Sequence, residues 1–429
     1  MAPVSTRPEL GAAVAVTRWS RAATATAATS VLALAVLAAL PYLAGTGITQ
    51  ALVTLFQLVS MAALWNLLAG DAGMISFGQQ AYLGIGAYLV WLVSKTGVSP
   101  FAGIAVAAAG CAVAAVPIFA VLRPLSGGYF AVATWVVATC FFLYVTNQLW
   151  LGGGTGVSLA GQLSGLQPVV RQAYTYWLAL ALMAVIVAGV YLLVRSRFGL
   201  DSRAVHDEPP AAAAMGVEVQ RTRWLAYVLA AVGFGAVGGM LIISTLYIDP
   251  ATVFSVNYSA DMLFMVVIGG IGTMEGPVIG AVIFFAVQEW FAGYGAWYLV
   301  AIGVVAIVVV LAAPAGLWGI AAGRGWSLLP VGYRVRLPGG VRGSGPVSGA
   351  GRQHLQPVAT RAGKLDVAAI ARRLNIPVTV YATAAGEFFD ASPAHARLLC
   401  EYMETLGYRG GAVSDELGER VYGVATPLP

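Results

Sequence analysis

Charge is scarce in this chain. Only 10% of its 429 residues are Asp, Glu, Lys or Arg, against about a quarter in soluble domains, while 59% are apolar. That balance excludes a soluble globular protein and leaves a polytopic membrane protein. Lysine is scarcer still: Lys95 follows Ser94 and Lys364 follows Gly363, and neither completes the Gly-Lys-Ser/Thr end of a phosphate-binding loop. Any energy from ATP must therefore come from another polypeptide. The histidines, His206, His354 and His395, lie scattered outside the apolar runs, and neither an HExxH helix nor a Gly-x-Ser-x-Gly elbow occurs. An intramembrane enzyme has no visible apparatus. Cys111, Cys140 and Cys400 lack metal or redox spacing and read as packing residues, so no cofactor or metal is implied.

What the chain does have is apolar runs, at about 22–43, 48–69, 74–94, 99–122, 128–149, 173–194, 224–247, 259–273, 276–291 and 297–319. The first is long enough to span and reads as an uncleaved helix rather than a signal peptide. The fold class is accordingly all-α, with about ten transmembrane or half-spanning helices. Alternating them from a cytoplasmic N-terminus leaves only Lys95 and Arg171 in outer loops and places nine cations inside, so both termini are expected in the cytoplasm of a cell-membrane protein. Residues 1–21 form the N-terminal tail, 22–320 the permeation domain, 321–363 a linker with six arginines and no acid, and 364–429 a small α/β-like segment. A basic stretch after a last membrane helix points to anionic lipid, and no nucleic-acid module is visible. In the C-terminal segment Leu365–Leu374, Pro377–Ala382 and Pro393–Leu406 read as helix, strand and helix.

The runs 259–273 and 276–291 are too short, at roughly 23 Å of helix, for a hydrocarbon core of about 30 Å. Between them lies the glycine-rich Val267–Ala281, and the first half has its own glycine-rich entry at Gly73–Tyr88. Each belongs to the third run of its half, the arrangement expected of an inverted repeat of five plus five runs around a central pathway. Gly235-x-x-x-Gly239 and Gly276-x-x-x-Gly280 carry spacing that lets membrane helices pack closely, within a subunit or between subunits. Ser76, Gln79, Gln80 and Tyr82 enter the bilayer together and Tyr129 opens another helix; such groups either line a solute pathway or bond neighbouring helices. Asp261, Glu275 and Glu289 sit at helix ends or in the glycine turn, where interfacial or capping roles are usual.

Arg195–Arg223 is a polar island with five arginines and four acids. Its pattern predicts a short helix capped by Asp207, with Pro209 in the first turn and Gly216 after Ala211–Met215. Arg197 and Arg203 are expected to meet the membrane surface and a partner's acids. The island is either a docking element or a solvated connector.

The succession from Asn66 to Tyr88 (NLLAGDAGMISFGQQAYLGIGAY) resembles the LivM-like permeases of branched-chain amino acid ATP-binding-cassette importers. So do Gly128–Ala131, Gly152–Gly156, Ser196–Gly199, Ala213–Val217 and Gly269–Ala281, in the family's order over about 50–320. The resemblance implies a pore of this chain and a second permease subunit, an extracytoplasmic solute-binding protein outside, and two ABC ATPase subunits inside. It also implies that Arg197, Phe198, Gly199, Ala213, Ala214, Met215 and Gly216 meet the ATPase. Pro209-Pro210 departs from the family's usual acidic or aliphatic pair, and nothing beyond Arg324 has a counterpart. The solute implied is a branched-chain or other hydrophobic amino acid, with urea or a short amide as the alternative. An ion-gradient transporter would need acids at the midplane, and a structural scaffold would leave the polar island unexplained.

Overall fold

The computed structural model describes residues 15–17, 32, 34–42, 45–165, 167–291, 316–323, 334–336 and single positions between 300 and 313, together with strands after residue 378. Two compact units are present, Met1–Gly345 and Pro346–Pro429. In the first, residues 34–42 are helical. The helices that follow are α1 (Thr46–Asn66, prolonged by a π-helical turn, Leu67–Asp71), α2 (Gln80–Ser94), α3 (Pro100–Leu122), α4 (Gly127–Asn147) and α5 (Pro168–Arg195). Two short helices, α6 (Arg197–Asp207) and α7 (Pro209–Ala214), lead into α8 (Val219–Thr245). After α9 (Pro250–Val253) come α10 (Asn257–Gly269), α11 (Gly276–Phe291) and α12 (Gly316–Gly323).

Among the described residues six helical stretches are long and apolar enough to cross a membrane, with α2 and α11 as shorter apolar helices. Most of the runs 22–43 and 297–319 lies outside the described residues. The run 74–94 is not one helix: chain from Ala72 to Gln79 is irregular and α2 begins only at Gln80. Burial separates an inner from an outer layer. In α1 and α8 78% of the most apolar stretch is buried, against 28% in α3, α4 and α5.

Lipid is as apolar as leucine, so no hydrophobic force draws helices together inside it; close van der Waals fit must do so instead. Helix α8 achieves that fit with glycines facing three neighbours. A Cβ at Gly238 would land on the Leu83 carbonyl of α2, one at Gly235 on the Cys111 side chain of α3, and one at Gly233 on Leu64 of α1. From the other side, a Cβ at Gly86 would strike Gly235. The 235/239 spacing therefore serves packing within the chain, as does Gly280, whose Cβ would meet the Met265 carbonyl across α10 and α11. At 13 and 16 residues, α10 and α11 are about 20 and 24 Å long, as their short runs required.

Four short strands lie in this unit. β1 (Ala15–Thr17) pairs antiparallel with β4 (Arg334–Arg336), so these three linker residues are ordered into a strand; β2 (Val157–Ser158) pairs with β3 (Tyr247–Ile248) at the bundle's end. The second unit contains a four-stranded antiparallel sheet of order β5-β6-β8-β7, built from Thr379–Thr383, Gly386–Ala391, Tyr408–Ser414 and Val421–Pro427. β5 overlaps the expected strand, and the other three were not anticipated. The expected helices at 365–374 and 393–406 fall outside the described residues.

Replacing Gly238 by Val forces α2 and α8 apart, at a cost of about 1–3 kcal/mol by analogy with overpacked cores. A thermal melt of the detergent-purified protein should show a lower midpoint for Gly238→Val, while Gly189→Ala, where a Cβ meets nothing within 4 Å, should melt with wild type.

Candidate functional site

The irregular stretch between the π turn and α2 lies among helices, where each unpaired backbone group is costly. Its sequence supplies the partners. Trp65 Nε1 donates to the Ser76 carbonyl (3.0 Å), the Phe77 amide donates to Thr134 Oγ1 on α4 (3.1 Å), and Gln80 Nε2 donates to the Phe77 carbonyl (2.9 Å). Ser76 Oγ accepts from the Gly78 amide (3.3 Å) and from Gln79 Nε2 (2.8 Å). Gly78 is needed because a Cβ there would collide with the Thr134 carbonyl. At the head of α2, Gln80 Oε1 accepts from Ser259 Oγ in the first turn of α10. The start of one short helix is thus bonded to the start of the other.

Ser76, Gln79, Gln80 and Tyr82 are therefore brought together, and all are buried, with Gln79 Oε1 left without a partner. Tyr82 stands edge-on to Tyr227 of α8, ring centroids 5.8 Å apart. Tyr129 does not join them: it lies in the first turn of α4 and is 81% exposed. The residues that hold the cluster from outside are Trp65, Thr134 and Ser259, none of which the sequence marks as a site residue. Their signal was weak, since single polar side chains in apolar helices carry no spacing.

A second junction joins the end of α1 and its π turn to the glycine-rich loop between α10 and α11. Buried Asn66 donates from Nδ2 to the Thr273 carbonyl (3.0 Å) and accepts at Oδ1 from the Gly272 amide (2.9 Å), pairing with the loop as a strand would. Gly70 lets the backbones approach, and Gly270 and Gly272 adopt φ of 123° and 75°, values that favour glycine. Glu275 is buried at the start of α11, its carbonyl accepting from the Ile279 amide. Exposed Glu289 lies near the end of α11, and Asp261 lies in the second turn of α10 with Oδ1 buried and unpartnered.

The polar island folds as two helices rather than one. Asp207 ends α6, and Glu208 occupies the N-cap of α7 without a side-chain bond, because residues 197–207 already form a helix burying Gly199, Ser202 and Val205 on one face. Pro209 takes the first-turn position as expected. Gly216, with φ of 88°, closes α7 by donating to the Ala213 carbonyl while the Val217 amide donates to Ala212, both at 3.0 Å. That pair is the left-handed helix stop its glycine was chosen for. Arg197, Ala213, Ala214, Met215 and Gly216 are exposed, Phe198 is half-buried against the core, and Gly199 packs on the Val194 carbonyl. Arg203 does not simply face outward: its Nε lies 3.4 Å from Oδ1 of Asp71, a carboxylate only 2% exposed at the end of the π turn. Among the described residues no other cation lies within ion-pair distance of Asp71, which thus captures an arginine expected at the membrane surface and a partner's acids.

A family model for the branched-chain amino acid transport system permease component matches residues 47–314. The chain belongs to this permease family. Among its relatives, the high-affinity branched-chain amino acid permease protein LivM of Escherichia coli is 24% identical over 283 residues, 59% of this chain and 65% of the relative. The autoinducer 2 import permease LsrC of Klebsiella pneumoniae is 33% identical over 146 residues, covering 33% of this chain and 41% of that protein. A LivH permease of Methanocaldococcus jannaschii is 29% identical over 142 residues, 31% of this chain and 44% of its own length. The match thus spans just under two thirds of LivM. No solved structure matches the chain. As a member of the permease family with apolar spanning helices, the protein is an integral membrane protein.

Gln80 bonds to both the break and α10. Gln80→Leu leaves the Phe77 carbonyl and the Ser259 hydroxyl without this partner, so the detergent-purified mutant should melt several degrees below wild type, and an equal midpoint would show that these bonds do not hold the break.

Proposed function

We propose that this chain is the membrane permease subunit of an ATP-binding-cassette importer for branched-chain or other hydrophobic amino acids, with urea or a short amide as the alternative solute. The observation that carries the reading is the α6–α7 pair, a glycine-stopped helical segment between two membrane helices that leaves Ala213, Ala214 and Met215 exposed, Met215 by 75%. An exposed methionine beside small alanines is a surface shaped to fit a groove. Two ATPase subunits would dock there, on the cytoplasmic side with both termini. A second permease subunit would complete the pore and a solute-binding protein would cap it.

Movement of the docked helices would reach the pathway through Arg203 and Asp71, and from the π turn through Asn66 to the glycine loop. The Ser76–Tyr82 segment would open in the conducting state, since its side chains are buried here. Ten spanning or half-spanning helices fit this reading, as does an inverted repeat. A long buried helix leads to a shorter apolar helix twice, α1 through irregular chain to α2 and α8 through β3 and α9 to α10, and the two shorter helices meet at Gln80 and Ser259.

An ion-gradient transporter is favoured by one observation, the unpartnered buried oxygen of Asp261. Uptake into vesicles separates the two. Uptake that follows internal ATP and survives a protonophore supports the importer, and collapse with the proton gradient at constant ATP supports the rival.

Docking is tested by Ala214→Glu, which would place a charge against the groove. The mutant should insert normally yet lose most of the co-purifying ATPase, whereas full retention with normal hydrolysis would make α6–α7 a solvated connector.

A further inference from the structure

At the α6–α7 end of the bundle three helix ends converge: the end of α3, the start of α4 and the first turn of α8. Between them and the irregular stretch is a narrow cleft lined by Gly73, Ile75, Arg123, Ser126, Gln220 and Arg223, with Phe130 among its apolar walls. It holds about 30 Å³, room for about two water-sized oxygens.

The chemistry of the cleft is incomplete. Arg123 and Arg223 both line it, and no carboxylate lies within ion-pair distance of either among the described residues. Nε of Arg223 is buried without an acceptor, and Oε1 of Gln220, one helical turn before it on α8, is buried without a donor. Ser126, at the N-cap of α4, makes no side-chain cap bond, and a Cβ at Gly127 would meet nothing, so the helix start is open. A buried guanidinium donor is normally satisfied, and an anion that presents two oxygens would satisfy Arg223 and its exposed neighbour Arg123 together with charge-assisted bonds. The orphan acceptor on Gln220 asks for something more, a hydroxyl donor on the same ligand.

We infer that this cleft binds the headgroup of an anionic phospholipid, its phosphodiester oxygens on Arg123 and Arg223 and a headgroup hydroxyl on Gln220. Phosphatidylglycerol has this chemistry; phosphatidylcholine has the phosphate but neither the hydroxyl nor the net charge. Ile75, which lines the cleft and is 50% exposed, gives the acyl chains an apolar surface to follow. Bound there, the lipid would tie α3, α4 and α8 together beside the irregular stretch.

The test is the thermal midpoint of the purified full-length protein in nanodiscs of phosphatidylcholine alone and of phosphatidylcholine with one third phosphatidylglycerol, for wild type, Arg223→Gln and Gln220→Leu. The expected result is a midpoint several degrees higher with phosphatidylglycerol for wild type, a gain largely lost in Arg223→Gln and reduced in Gln220→Leu. Neither variant needs to match wild type in phosphatidylcholine, because the readout is the difference between the two lipids. An equal gain in wild type and Arg223→Gln would overturn the site. Soluble glycerol phosphate producing the same gain in phosphatidylcholine nanodiscs would overturn the assignment to lipid.

Discussion

The bundle depends on how it keeps non-helical backbone inside itself. Lipid offers no hydrogen bonds, so the chain between Asp71 and Gln80 persists only because protein groups replace water around it. Trp65, Ser76, Thr134 and Gln80 do so from three helices, and Ser259 extends the network to α10. The same requirement explains Asn66, whose amide uses its donor and its acceptor on the backbone of the glycine loop. These bonds are directional and few, and they join segments far apart in sequence.

Glycine makes that arrangement reachable. With no Cβ at positions 235, 238, 86 and 70, α8 and α1 can sit at the centre while α2 and the loop after α10 come within backbone contact. Lost side-chain packing is offset by close approach over the length of each helix. The outer helices α3, α4 and α5, exposed over most of their surface, carry valines and aromatics there instead.

Much of this was legible in the residues. Hydropathy located the described apolar runs, and Pro209 and Gly216 marked the ends of α7. What was not legible follows from physics that acts across the fold. The 74–94 run is apolar throughout, and only contacts with Trp65 and Thr134 reveal that its first part leaves the helix. The island's first half lacks a strong start signal, so α6 went unseen and Asp207 was read as a cap. Tyr129 was grouped with the polar entry because it opens a helix, yet its side chain faces away from the core. In the second unit three short strands carry no alternation strong enough to read.

The Asn66 clamp also says where this chain is free to drift. Its amide grips Gly272 and Thr273 by main-chain atoms alone, so the grip is blind to the side chains of the loop. Ile271, half exposed, is left as a place where substitutions accumulate at little cost. Asn66 itself has no such latitude: even aspartate, of the same shape, would turn a donor into an acceptor facing the Thr273 carbonyl. Variation in relatives should therefore be lopsided across this contact, wide on the loop's exterior and nearly nil on the helix that holds it.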